Sequence, residues 1–173
     1  MPSQRESMKE FRRLLEQGSL QRAYRALISY MMGLRTHFKN RYGSSFVSGL
    51  YQGDMDMTYF ALFPPSLRDR NLKVAIVFNY DAFRFEAWLS ARNQEIQRRY
   101  WELFKDTNWP GYRIAAPAKG VDSILECDVA SDFDLDDPDA LTAIIEESAL
   151  ALMNRVEGFL STAQPLLRSS AIT

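Results

Sequence analysis

Two runs of alternating residues occupy the middle of the chain. Leu72, Val74, Ile76, Phe78 and Tyr80 alternate with Lys73, Ala75, Val77 and Asn79. Phe83, Phe85, Ala87 and Leu89 then alternate with Arg84, Glu86, Trp88 and Ser90. A period of two puts each set on its own face of a strand. Only Asp81 and Ala82 separate the runs, which predicts a hairpin. Ala is unusual where a two-residue turn wants positive φ, so a longer loop is the alternative. The two-residue loop pairs Tyr80 with Phe83, Phe78 with Phe85, Ile76 with Ala87 and Val74 with Leu89 on a core face. Asn79 then faces Arg84, Val77 faces Glu86, Ala75 faces Trp88 and Lys73 faces Ser90 on the second face. A slip of one residue would bury Arg84 and Glu86, so burial enforces this register.

The flanking patterns complete an α+β outline. Glu6 to Gln17 predicts a short helix, stopped at Gly18, with Ser19 as cap of the next. Leu20, Tyr24, Leu27, Ile28, Met31, Leu34 and Phe38 form the apolar stripe of a helix over about 20–42, with Met32 read beside Met31 as core filler. Phe46 to Tyr51 and Met55 to Phe63 predict a second hairpin around Gln52 and Gly53, ended by Pro64 and Pro65. Ser66 to Asn71 predicts a turn or short helix. Asn93 to Lys105 predicts a helix with Ile96, Tyr100, Leu103 and Phe104 inward. Asn108 to Gly120, with two prolines and two glycines, predicts an irregular and mobile loop. Ile124 to Ala130 predicts a fifth strand. Asp137 and Pro138 open a long helix to about Leu160, with Leu141, Ile144, Ile145, Ala149, Leu152, Met153, Val156, Phe159 and Leu160 inward, and a frayed tail after Gln164. The expected architecture is one domain over 1–173, with an ordered core over about 5–162. It is an antiparallel sheet of four to five strands, with N-terminal helices, a central helix and a long C-terminal helix packed on one face.

Composition adds bounds. The chain has 173 residues, 46% hydrophobic, with one cysteine and one histidine. An internal disulfide is therefore excluded, and the expected compartment is the cytoplasm. No apolar run approaches the ~20 residues of a membrane helix, and the charged N-terminus is unlike a signal peptide. The net charge of −1 conceals an asymmetry. Residues 1–120 carry 19 basic and 11 acidic side chains, whereas residues 121–173 carry 2 and 11. Sixteen of the 21 basic residues are Arg, whose planar fork prefers carboxylate or phosphate partners. The acidic end can satisfy the basic part within the fold or between subunits.

The few candidate reactive constellations narrow the choice. Cys127 and His37 would make a nucleophile pair only if brought together; a buried, inert thiol is the plainer reading. Asp132, Asp134 and Asp136 occupy calcium-loop positions one, three and five, but position six is Asp137 and position twelve is Ala143, so the EF-hand pattern fails. Asp54 and Asp56 flank a turn, where Asp is an ordinary residue. No Gly-rich phosphate loop, zinc spacing or nucleophile elbow occurs. No metal or cofactor is expected.

The strand Phe83-Arg84-Phe85-Glu86-Ala87-Trp88-Leu89, followed by Arg92-Asn93 and Tyr100-Trp101, resembles a family of small bacterial proteins of unknown function. The stretch from Tyr51 to Phe60 fits the same picture, and the resemblance extends to about Leu160. It implies no activity. A fainter similarity, in strand pattern alone, is to accessory domains of nuclease-like modules, whose catalytic residues this chain lacks.

The leading expectation is a non-enzymatic binding or interaction module, a candidate homodimer, with its site on the second sheet face. Arg84, Glu86 and Trp88 form that surface, closed by Arg92, Tyr51 and Tyr59. Arg84 or Arg92 would clamp a small anionic ligand and Trp88 would stack on a planar one. The structural alternative for the same residues is a cross-strand charge network with a covering Trp. One functional rival is an enzyme with Glu86 as general base in a sheet-face pocket. The other is an accessory nucleic-acid binder using Arg22, Arg25, Arg98 and Arg99, against which the pI of 5.9 argues.

Overall fold

In the computed structural model, which describes residues 1–169, one six-stranded antiparallel sheet organises the chain. The strands are β1 (Phe46–Val47), β2 (Met57–Phe63), β3 (Leu72–Asn79), β4 (Arg84–Ala91), β5 (Arg113–Ile114) and β6 (Ser123–Ala130), in the order β1-β2-β3-β4-β6-β5. The helices are α1 (Gln4–Glu16), α2 (Ser19–Arg41), α3 (Pro65–Arg68), α4 (Gln94–Phe104) and α5 (Pro138–Ser169).

The central hairpin keeps the predicted register, from Lys73 opposite Ser90 to Asn79 opposite Arg84. Its loop is longer than two residues. Tyr80 to Phe83 form the turn, and the positive φ falls on Phe83 (48°). Asn79 Oδ1 accepts the Ala82 N–H at 3.1 Å, which closes the turn early. Two loop residues or four leave the pairing unchanged, because the strands separate symmetrically. Phe83 leaves the sheet for an exposed position, stacked on Phe133 with ring centroids 5.9 Å apart.

The core lies on one sheet face. Val74, Ile76, Phe78, Phe85, Ala87 and Leu89 meet Leu27, Met31, Leu34 and Phe38 of α2 and Leu141, Ile145, Leu152 and Val156 of α5. Met32 and Ile144, expected inward, are exposed. Each lies one residue from a buried stripe position, and one residue turns a helix by about 100°. The α2–α5 seam is polar at one end. Glu146 accepts from Tyr42, pairs with His37 at 2.9 Å and with Arg41 at 2.8 Å. Burial alone would raise the Glu146 carboxyl; the bonds from Tyr42 and His37 and the Arg41 charge overcome it and hold it below the usual range.

Other departures from the expected outline have local causes. α1 is capped by a Ser3–Glu6 box but buries no residue, so it rests on α2 rather than on the sheet and leaves Met8 62% exposed. Gly18, at φ 72°, occupies the cap of α2, and Ser19 is already helical. The 46–51 arm pairs regularly only at its start. Ser48 Oγ takes the place of a main-chain acceptor for Ala61 N–H, and pairing resumes only at Tyr51 opposite Tyr59. The expected loop 108–120 contains the sixth strand, β5, too short to show a period, and buries Trp109. α5 continues past Leu160 to Ser169, and residues 170–173 of the tail expected to fray lie outside the described residues.

Candidate functional site

The second sheet face is polar and partly covered, and β4 supplies most of it. β6 meets β4 with irregularities between Phe85 and Glu86 and between Leu89 and Ser90. The extra residues on β6 are Val129 and Ile124, and these bulges put Asp128 opposite Glu86 and Glu126 opposite Trp88. Arg113 of β5 lies opposite Glu126. Acids and guanidiniums from three strands therefore meet on one surface.

Glu86 is the centre of this network and is 1% exposed. Arg84 Nε donates to Glu86 Oε1 at 2.6 Å, and Trp88 Nε1 donates to Oε2 at 2.7 Å. Asn79 Nδ2 reaches Oε1 at 3.5 Å. Arg84 also pairs with Asp128 at 3.0 Å, while Arg113 holds Asp128 at 2.5 Å and Glu126 at 3.1 Å. Ser123 Oγ donates to Glu126 at 2.5 Å. Both oxygens of Glu86 are thus committed to donors. Glu86 is also absent from the lining of the neighbouring cavity, whereas general-base work requires reach to a substrate proton.

A cavity of about 230 Å³ opens beside the network, between this face and the N-terminal end of α4. Small Ala75 and Val77 make its floor. Tyr59 and Trp88 are aromatic walls, Lys73 and Arg92 bring positive charge, and Gln97 and Asp122 complete the polar lining. Trp88 joins the two regions. Its N–H is held by Glu86, so the indole is oriented from the network side while its ring borders the cavity. Gln97 is fixed in the same way: its Nε2 donates to the carbonyls of Val121 at 2.9 Å and Ser123 at 3.0 Å. Burial raises the Tyr59 hydroxyl, and the charge of Asp122 adds to it.

Lys73 and Arg92 make no ion pair among the described residues. Asn93 caps α4 through a 3.0 Å bond from the Ile96 N–H, and the positive end of that helix dipole adds to the two cations.

The predicted site residues are therefore divided. Trp88, Arg92 and Tyr59 line the cavity. Tyr51 packs on Tyr59 at 5.1 Å between ring centroids, behind the wall. Arg84 and Glu86 belong to the network and do not line the cavity. Lys73, Gln97 and Asp122 were not anticipated as site residues. Gln97 carried a signal, being a polar residue on the inner stripe with Tyr100 and Phe104; Lys73 was placed on this face by the alternation alone.

The remaining candidates separate in space. His37 is engaged with Glu146, whereas Cys127 lies on β6 with its thiol raised by burial and its sulfur 3.5 Å from the Asp128 carbonyl. Arg22 and Arg25 lie on α2, which packs on β1 and β2, whereas Arg98 and Arg99 lie on α4, which packs on β4 and β6. No cluster of three potential metal ligands occurs among the described residues. No described helix is long and apolar enough to cross a membrane.

An α+β fold with a lined cavity on the polar face of its sheet defines the structural class. Residues 4–160 match the family described as a domain of unknown function (DUF7000), and the chain belongs to that family. No curated protein and no solved structure matches the chain.

Proposed function

We propose that this protein is a cytoplasmic, non-enzymatic binding module that takes a small anionic ligand with a planar group into the cavity beside α4. The observation that carries the reading is the pair of unmatched cations, Lys73 and Arg92, set against the aromatic walls Tyr59 and Trp88. Elsewhere on this face Arg84 and Arg113 have carboxylate partners within 3.1 Å. Two unmatched positive groups at one cavity leave room for an external anion. The roles divide accordingly: Lys73 and Arg92 hold the anion, Trp88 and Tyr59 stack on the planar part, and Asp122 accepts from a ligand N–H or O–H. Arg84 and Glu86 act at one remove, as positioning residues that fix Trp88.

Native mass spectrometry of gently purified protein tests this reading. The expected result is a retained non-protein mass that disappears in a K73A/R92A variant with an unchanged circular dichroism spectrum. Retention of the same mass by that folded variant overturns the assignment of the site.

A further inference from the structure

The cavity does not end at Lys73 and Arg92. Both residues also line an adjoining groove of about 330 Å³, together with Phe63, Arg68, Asn71 and Leu72. Phe63 shares the sheet face of Tyr59, being four residues further along β2. The two depressions therefore adjoin, with Lys73 and Arg92 between them. Arg68 stands at the far end, on the last residue of α3. The main chain fixes this arrangement. Asn71 adopts a φ of 58°, a conformation Asn tolerates, and its carbonyl accepts the Arg92 N–H at 2.9 Å. Arg92 is thereby tied to the segment that carries Arg68.

The charges along the two depressions are one-sided. Arg68, like Lys73 and Arg92, makes no ion pair among the described residues. Among the described residues no acid lines the groove, and one carboxylate, Asp122, lines the aromatic cavity. The first cavity, at about 230 Å³, is below the ~300–1,000 Å³ of sites that enclose a whole small molecule. It suits one ring system, with the rest of the ligand continuing into the groove.

We infer that the ligand is a planar ring carrying a chain of at least two anionic groups, of the class of a nucleoside diphosphate or triphosphate. The ring lies against Trp88 and Tyr59 with a donor toward Asp122, and the anionic chain passes Lys73 and Arg92 to reach Arg68. This rests on the cavity being a binding site, as proposed above.

Calorimetric titration with AMP, ADP, ATP and inorganic tripolyphosphate at constant ionic strength tests it. ATP and ADP should bind at least tenfold more tightly than AMP, and tripolyphosphate more weakly than ATP. Arg68→Ala should weaken ADP and ATP about tenfold and leave AMP unchanged, while Arg99→Ala, on the exposed side of α4, should change none of them. If AMP binds as tightly as ATP and Arg68→Ala is silent, the extended path is wrong and the cavity reading survives. An equal loss in Arg99→Ala would mark general electrostatic attraction and overturn the path. Tripolyphosphate binding as tightly as ATP would remove the ring from the assignment. If no probe binds and Trp fluorescence does not move, the nucleotide assignment falls, and the cavity reading is decided separately by the mass retained in the native spectrum.

Discussion

Between Glu86 and Trp88 the polar face of β4 changes character within two residues. On one side, Arg84 and Arg113 are shared among Glu86, Glu126 and Asp128, so that each guanidinium has carboxylate partners inside the fold. On the other, Lys73 and Arg92 stand beside aromatic rings and make no ion pair among the described residues. The same residue types serve both regions; what differs is whether the partner is built in. A matched network resists perturbation because each member satisfies its neighbours, and removing one strands the others. An unmatched pair of cations is indifferent to the fold and responsive to what arrives. Stability and binding should therefore be lost at different positions, and variants across the divide make that separation measurable.

The largest effect is expected at Glu86. Glu86→Ala would leave the Trp88 N–H without its acceptor and the Arg84 guanidinium with Asp128 alone. One-sided removal of a buried ion pair costs ~3–5 kcal/mol, and the low end applies because Arg84 is 27% exposed and can regain water. Urea unfolding should show a loss of about 3 kcal/mol, near the low end for such pairs. A loss under about 1 kcal/mol, the range of exposed pairs, would mean that the network is decoration. Trp88→Phe comes next. It keeps an aromatic wall but deletes a hydrogen bond to a charged acceptor, worth ~1.5–3 kcal/mol. Stability should fall by about 2 kcal/mol by the same bookkeeping, and the retained ligand should weaken with it, because Trp88 belongs to both regions.

How far these regions were legible in sequence differs for a physical reason. The β3–β4 register followed from the alternation, because each of the two faces accepts only one set of side chains. That placed Arg84, Glu86 and Trp88 on one surface and offered a charge network as the plainer reading. The identity of the partners was not legible. Asp128 and Glu126 face β4 through two bulges, and Arg113 arrives on a two-residue strand inside what reads as a loop. Short edge strands and bulges leave no periodic trace. The cavity was half legible for a related reason. Tyr59, Trp88 and Lys73 lie on strands whose faces the pattern assigns, whereas Asp122 lies just before β6 and Gln97 enters from a helix whose angle to the sheet no local pattern encodes.

A carboxylate committed within the fold, but far from this face, provides an acid control. Glu146 is held below the usual carboxylate range against the pull of its burial by Tyr42, His37 and Arg41. Its folded-state value lies below the unfolded one, so its contribution is present above the unfolded value and is lost as pH falls through the folded one. Denaturant unfolding between pH 6 and pH 3 should show stability declining on the acid side. Glu146→Gln should flatten that decline by ~1 kcal/mol, the scale of a partly exposed ion pair. An unchanged acid slope in this variant would show that the α2–α5 seam contributes nothing to acid sensitivity.

The smallest stability effect, and the most telling, is expected at the unmatched cations. Lys73, Arg92 and Arg68 line one groove with no acid between them, so each raises the energy of the others. Exposed substitutions usually shift stability by no more than ~0.5 kcal/mol. Here the sign is also set: Lys73→Ala and Arg92→Ala should leave the ligand-free protein as stable as before or slightly more stable. The gain should shrink with added salt, since salt screens repulsion between exposed charges. Urea unfolding of ligand-free protein at low and at high salt measures both. A clear destabilisation in either variant would mean that the cation has a partner in the fold, which would erase the difference between the two regions. Unchanged or increased stability together with lost ligand would locate binding on one side of Trp88 and folding on the other.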